Sequence, residues 1–295
     1  MSVDLLLVGA GGQIGTCLCE QAKLLGVSFI AMSHEQLDVC NEAKLSAQIS
    51  QYKPKCIINA AAYTQVDKAE SDQAVVYATN VQGVINLAKF ANAVGAMLIH
   101  LSTDYVFDGL KKGAYLESDQ TNPLSVYGSS KLAGELVIKE YCPRHLIVRT
   151  GWVFGEHGNN FVKTMLKLAL QRTALNVVTD QVGGPTYAGD IASTLLNMTQ
   201  QALDPQFSNW GIHHYAGIPY ISWFDFASEI FSRAVQQGVL TQMPELKPIA
   251  STEYVSAAKR PANSRLDCAK IKSVFNIPPC DWKAALADLS PYMPK

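Results

Sequence analysis

Through the first half of this 295-residue chain, short apolar runs ending at glycine or polar residues alternate with amphipathic helical stretches. That alternation predicts an α/β fold, a Rossmann-like doubly wound parallel sheet. Two further observations shape the expectation. A glycine-rich turn directly follows the first apolar run, and after Thr150 the pattern loosens into shorter elements broken by glycine and proline. The chain is expected to divide into a first domain over residues 1–151 and a smaller C-terminal lobe over 152–295, with some later segments weaving back into the first.

Each element has its own signal. Residues 3–8 are a continuous apolar run stopped by Gly9, and Ile14, Leu18, Ala22 and Leu25 then recur at helical spacing. Residues 27–32 read as a strand, 42–52 as a helix and 56–59 as a strand. One long helical pattern covers 72–94 and ends at Gly95, before a strand at 96–101, a helix at 127–141 and a strand at 146–150. Strands that are apolar throughout, separated by amphipathic helices, belong to a parallel sheet covered on both faces and joined by right-handed crossovers. In the second half, residues 210–215 are strand-like and 222–237 helical, with Ser222 as N-cap and Phe224, Phe226, Ile230 and Phe231 on the helix.

Composition removes several function classes. Lysine plus arginine (24) balances aspartate plus glutamate (25), so no basic excess points to nucleic acid. No apolar run approaches the ~20 residues that span a bilayer, and the residues after Met1 lack the basic region of a signal peptide. Seven cysteines, odd in number and scattered, read as reduced thiols in a cytoplasmic protein; Cys17 and Cys19 have no second pair to complete a zinc site.

Gly9-Ala10-Gly11-Gly12-Gln13-Ile14-Gly15 lies between the first strand and the first helix. Glycines allow a tight turn and close approach of the backbone to a pyrophosphate, and N–H groups at the helix start then face the anion. The second strand ends Met32-Ser33-His34-Glu35, with no acid at its tip to take ribose hydroxyls. A missing acid leaves room for a 2′-phosphate, which favours NADPH, with NADH possible.

Tyr127 and Lys131 are four residues apart on a helix, so phenol and ammonium share one face. An ammonium about 5 Å away, at an effective dielectric near 20, favours the phenolate by roughly 3 kcal/mol, or about two pKa units. This predicts a tyrosine able to exchange a proton with a carbonyl oxygen. Thr103, at the carboxyl end of the 96–101 strand, stands where ligands bind in open α/β sheets and can donate to the same carbonyl.

The glycine turn, Asn59-Ala60-Ala61-Ala62, the run Ser102 to Gly109 and Tyr127 to Lys131 resemble the extended short-chain dehydrogenases, and within them the dTDP-4-dehydrorhamnose reductases. Asp67-Lys68-Ala69-Glu70, Arg149-Thr150-Gly151-Trp152, Asp180 to Thr186 and Arg260 to Leu266 extend the likeness along nearly the whole chain. The resemblance implies NAD(P)H-dependent reduction of the C4 ketone of dTDP-4-dehydro-L-rhamnose. Tyr127 is then the proton donor, Lys131 the residue that holds the nicotinamide ribose, and Thr103 the one that orients the carbonyl. It maps Gly9, Gly11, Gly12, Gln13, Ile14, Gly15, Asp38, Val39, Ala61, Ala62, Tyr63, Thr64 and Leu101, with Tyr127 and Lys131, onto the cofactor. It maps Thr103, Asp104 and Trp152 onto the dTDP-sugar.

Two departures stand out. Gly151 replaces the serine usual before the tryptophan, which is expected to widen the sugar pocket. Cys17 replaces a glutamate that bridges a metal in some dimeric relatives, so no metal is expected, and monomer and homodimer both stay open. A dehydratase of the same fold is disfavoured because Tyr105, not an acid, follows Thr103-Asp104. A dinucleotide-binding regulatory subunit without catalysis, or a reductase or epimerase of another nucleotide sugar, is the alternative. Elsewhere, alternation predicts one of His213 and His214 inside and one outside, and the aromatic cluster Tyr220, Trp223, Phe224 and Phe226 reads as core. Arg260 and Arg265 fit either a diphosphate clamp or surface or core salt bridging.

Overall fold

Six parallel strands form the central sheet of the computed structural model, which describes residues 3–293; Met1, Ser2, Pro294 and Lys295, the outermost residues of the expected domain spans, lie outside the described residues. The framing elements are β1 (Leu5–Val8), α1 (Gln13–Leu24), β2 (Phe29–Met32), α2 (Glu42–Tyr52), β3 (Cys56–Asn59), a segmented helix α3 (Gln73–Tyr77, Ala78–Gln82 and Gly83–Ala93), β4 (Met97–Thr103), α4 (Val126–Tyr141) and β5 (His145–Thr150). They continue with α5 (Ala188–Ala202), β6 (Gly211–His214) and α6 (Trp223–Gln236). The order across the sheet is β6-β5-β4-β3-β1-β2, and every pairing is parallel. The chain therefore winds outward in opposite directions from β1, and the switch point between β1 and β3 opens a crevice at the carboxyl ends of the strands.

Alternate residues of each strand serve opposite faces. Leu5, Leu7, Ile58 and Ile99 pack under α1 and α5 with Leu18, Ala22 and Leu195. Leu6, Val8, Ile57 and Leu98 pack on the other face with Leu45 and Ile49 of α2 and Val84 and Leu87 of α3. Each such side chain contributes about 1.5–3 kcal/mol on burial. Helices on both faces explain why these strands carry no polar alternation. The same cover corrects the expectation for His213 and His214. They point to opposite sides of β6, but both are fully buried, because both sides are packed. Each is held by a backbone carbonyl, Asn209 O at 3.1 Å for His213 and Tyr115 O at 3.1 Å for His214.

The expected helix over 72–94 follows one path but changes winding. A π turn at Ala78–Gln82 interrupts it, and Asn80 within that turn is buried. Its Oδ1 accepts from Tyr63 N–H at 2.8 Å, and its Nδ2 donates to Tyr63 O at 3.2 Å and to Ser130 Oγ at 3.0 Å. The π turn thus ties the loop after β3 to α4.

Beyond Thr150 the second half contributes short two-stranded pieces, such as Val153–Phe154 with Thr186–Tyr187 and Ala174–Val178 with Glu245–Ile249. It also returns to the sheet: β6 pairs with β5, and α5 docks on α1 through Gln21 Nε2 to Gly189 O at 2.8 Å. Helix α6 begins at Ser222 as expected, with Ser222 Oγ accepting from Asp225 N–H at 3.0 Å.

Candidate active site

Val8, Asn59, Thr103 and Thr150 end four neighbouring strands on one rim. Two connected clefts lie over it, of about 420 and 870 Å³, sharing Gly12, Ala60 and Ala62.

The smaller cleft is lined by Gly9, Gly11, Gly12, Ala61 and Ala62, with Ser33, His34 and Glu35 from the end of β2 and Val39 beyond it. Gly9 adopts φ +86, and a Cβ there would stand 2.5 Å from Ala61 N, so only glycine fits. Gly12 caps α1 without a side-chain bond to the first turn, which leaves the N–H groups at the helix start turned toward the cleft. A bare, uncapped cradle of this kind suits a pyrophosphate.

The larger cleft gathers Gln13, Ile14, Thr64, Leu101, Thr103, Asp104, Tyr127, Lys131 and Trp152. Ser125 starts α4, its Oγ accepting from Gly128 N–H at 3.1 Å, and this sets Tyr127 and Lys131 on the turn facing β4. Gly128 is required there, since a Cβ would lie 2.3 Å from Tyr105 O. Thr103 Oγ1 donates to Asp104 Oδ1 at 2.9 Å, accepts from Tyr105 N–H at 3.2 Å, and hydrogen-bonds to the Tyr127 side chain.

The electrostatics differ from the expectation for Tyr127. Burial holds its phenol above the ordinary range; the Thr103 hydrogen bond acts the other way but is outweighed, and the Asp104 and Tyr105 charges add to the rise. Burial of the phenol outweighs the anticipated lowering by Lys131, and burial also brings Lys131 itself down to about 8, against the opposing charge of Glu135. Burial likewise raises Asp104 to about 6, against its hydrogen bond from Thr103. Its Oδ2 has no hydrogen-bond partner.

Three mapped residues line neither cleft. Gly15 serves packing, since a Cβ there would stand 2.1 Å from Gly9 O. Asp38 turns its Oδ1 to Cys40 N–H at 2.9 Å, and Tyr63 sends its hydroxyl to Asp72 at 2.8 Å. Gly151 does not widen the pocket as expected. The space its Cβ would fill is taken by the Asp104 carboxyl group, 2.6 Å away. Trp152, in the left-handed region at φ +51, lies parallel to Trp223 with ring centroids 3.4 Å apart and donates from Nε1 to Ser264 at 2.9 Å. Trp223, read from the sequence as core, therefore braces the indole; Phe226 is core. Arg260 forms a partly exposed salt bridge with Asp67 at 2.7 Å and donates to the Tyr105 hydroxyl at 3.3 Å, and Arg265 donates to the Asn263 amide oxygen at 2.8 Å. Cys17 is buried beside Glu20 and His157, with the three ligand atoms within 4.8 Å of one another. Burial, then Glu156 and Glu20, push its thiol up to about 12.

Sequence reasoning missed the polar layer beneath the site. Asn59 and His100, fully buried at the carboxyl half of β3 and β4, back Lys131. Ser102 Oγ donates to Glu135 at 2.6 Å, and Arg149 binds Glu135 through Nε at 2.8 Å and Nη2 at 2.6 Å. Polar residues inside an apolar run carry no periodic signal; only the sheet register, Asn59 beside His100 and Ser102 beside Arg149, brings them together.

The family model described as RmlD substrate binding domain matches residues 3–292. A dTDP-4-dehydrorhamnose reductase of Aggregatibacter actinomycetemcomitans is 47% identical over 98% of both chains, and that of Escherichia coli (strain K12) 39% over 96% of both. Among solved structures, dTDP-4-dehydrorhamnose reductase from Bacillus anthracis in complex with NADP superimposes with a TM-score of 0.89 at 33% identity, covering 97% of this chain and 98% of that one. With a glycine cradle, a Thr-Tyr-Lys cluster on the same rim and relatives matched end to end, the chain belongs to the RmlD family of dTDP-4-dehydrorhamnose reductases.

Proposed function

We propose that this protein is an NAD(P)H-dependent oxidoreductase that reduces the C4 ketone of dTDP-4-dehydro-L-rhamnose to give dTDP-L-rhamnose. The observation that carries the reading is the convergence of Thr103, Tyr127 and Lys131 on a cleft continuous with the glycine cradle. The cofactor supplies the hydride when bound. Gly9, Gly11, Gly12, Gln13 and Ile14 would hold its phosphates, and Val39, Ala61, Ala62, Thr64 and Leu101 its remaining length. NADPH is the preferred form. The Bacillus anthracis relative holds NADP, and the uncharged Ser33 follows β2 directly, ahead of His34 and of Glu35, the one carboxylate among the described residues on this side of the cleft.

Reduction puts a proton on the ketone oxygen, and the residues supply it in order. Tyr127 is kept protonated by burial, which suits a general acid whose task is to give a proton rather than take one. Thr103 bonds Tyr127 and fixes the place of the carbonyl oxygen beside the phenol. Lys131 holds the nicotinamide ribose, and its ammonium offsets the phenolate that Tyr127 becomes. Asp104 and Trp152 bound the sugar, with Trp223 holding the indole plane. No helix among the described residues is long and apolar enough to cross a membrane, and all seven cysteines are free thiols. The free thiols fit a cytoplasmic location; the partner in this reading is a dTDP-sugar rather than nucleic acid, and the chain acts as monomer or homodimer.

The test follows absorbance at 340 nm with NADPH or NADH and enzymatically generated dTDP-4-dehydro-L-rhamnose. Oxidation is expected with both, faster with NADPH, and Tyr127→Phe should lower kcat by roughly 10²–10⁴-fold, the usual worth of a general acid. Unchanged turnover in Tyr127→Phe would reject the role of Tyr127, and no oxidation with either cofactor would reject the substrate.

A further inference from the structure

Lys131 is backed by a chain of polar groups that ends inside the protein. Its Nζ donates to Leu101 O at 2.7 Å and lies 3.1 Å from His100 Nε2. His100 Nδ1 lies 2.9 Å from Asn59 Nδ2, and Asn59 Oδ1 accepts from Ala61 N–H at 3.0 Å. His100, Asn59 and Lys131 are all at least 98% buried.

The direction of these bonds is set from the far end. Ala61 N–H is a donor only, so it selects Oδ1 of Asn59 and turns the amide nitrogen to His100. That NH₂ group also only donates, so His100 Nδ1 must accept and carries no proton. A neutral imidazole then bears its proton on Nε2, the nitrogen facing Lys131. Burial and the Lys131 charge keep His100 neutral, well below its ordinary range. The Nε2–H needs an acceptor. A lysine amine has a lone pair to offer; an ammonium has three donors and none.

We propose that the Ala61–Asn59–His100 chain sets the charge of Lys131, favouring the neutral amine by presenting it with a fixed Nε2–H, and that His100 is thereby a positioning residue for the reduction. The inference rests on the reductase reading. The chain stops at a backbone amide, so it conducts no proton to solvent; it makes the release of a proton from Lys131 easier. The other groups around Lys131 are Glu135 and Tyr127 on α4, Arg149 of β5 clamped to Glu135, and Asp104 beyond Thr103. Of these Glu135 favours the ammonium, yet burial outweighs it. Activity that needs the ammonium falls as pH rises past its pKa, which places Lys131 at the alkaline limb of the pH profile.

The test joins two measurements. In the protein without substrate, a ¹⁵N–¹H correlation of histidine side chains, assigned with His100→Gln, is expected to show the Nε2–H tautomer for His100. An Nδ1–H tautomer overturns the proposal, whatever the activity. With substrate, Asn59→Asp gives Nδ1 an acceptor, frees Nε2 to accept from the ammonium, and should move the alkaline limb of kcat up by about one pH unit, the tenfold change that one hydrogen bond to a charged group is worth. His100→Gln removes the fixed donor without adding charge and should move the limb the same way. A purely structural role would lower kcat at every pH and leave the limb in place, and that result in both variants also overturns the proposal. Absence of reductase activity in the parent protein would fail the functional reading alone, since the tautomer and a ¹³Cε titration of Lys131 are read without turnover.

Discussion

The carboxylate of Asp104 lies under Gly151, one oxygen bonded to Thr103 and the other without a partner. Its folded pKa, about 6, stands above the unfolded value near 3.9, so the fold penalises the charged form. The penalty is present above about pH 6 and vanishes below about pH 4. Asp104→Asn should therefore stabilise the protein by about 3 kcal/mol at pH 7 and by almost nothing at pH 4, read from urea unfolding at the two values. Gly151→Ser drives a Cβ into that carboxyl group and is expected to cost about 1–3 kcal/mol. Full stability in this variant would mean that Asp104 swings aside freely. At this scale the meeting of Thr103, Tyr127 and Lys131 in one cleft was legible from the i, i+4 spacing together with the strand end that carries Thr103. The direction of the Tyr127 shift was not, because spacing reports a neighbouring charge and says nothing of how deeply the pair is buried. Asp38 and Tyr63 were carried to the cofactor by motif position, while their side chains turn to Cys40 and Asp72.

Helix α6 and the segmented α3 mark the two ends of what local sequence reveals. Ser222 announces α6, and Ser222→Ala should cost about 1 kcal/mol through loss of the bond to Asp225 N–H, measured as a shift in the urea midpoint. In α3 the apolar spacing is helical throughout, and nothing local marks the π turn; it exists because Asn80 reaches across to both backbone groups of Tyr63 and to Ser130. Asn80→Ala leaves the Tyr63 N–H without that acceptor and loosens the loop beside the cleft. A higher KM for NADPH with lower stability is the expected result, and an unchanged KM would detach the π turn from cofactor binding.

Across the whole molecule, the presence of the first five strands was readable because each is a short apolar run punctuated by glycine or a polar tip. The sixth was readable as a strand but not as a member of this sheet, since pairing between residues so distant leaves no trace in either segment. The buried pair Glu135–Arg149 fastens α4 to β5 beneath the site. Glu135→Ala strands a guanidinium that is 2% exposed, and unfolding should become easier by about 3–5 kcal/mol. Replacing both partners by apolar residues should recover most of that loss.

The pairing of β6 with β5 also bears on how the chain comes off the ribosome. When β5 emerges, its outer edge has no neighbour, and the strand that covers it is synthesised roughly sixty residues later, on the order of several seconds of elongation. During that interval the nascent sheet carries an open, apolar edge of the kind that recruits other chains. A fragment ending near residue 151 would keep that edge permanently, so its solubility depends on supplying residues 211–214 in cis or as a separate peptide.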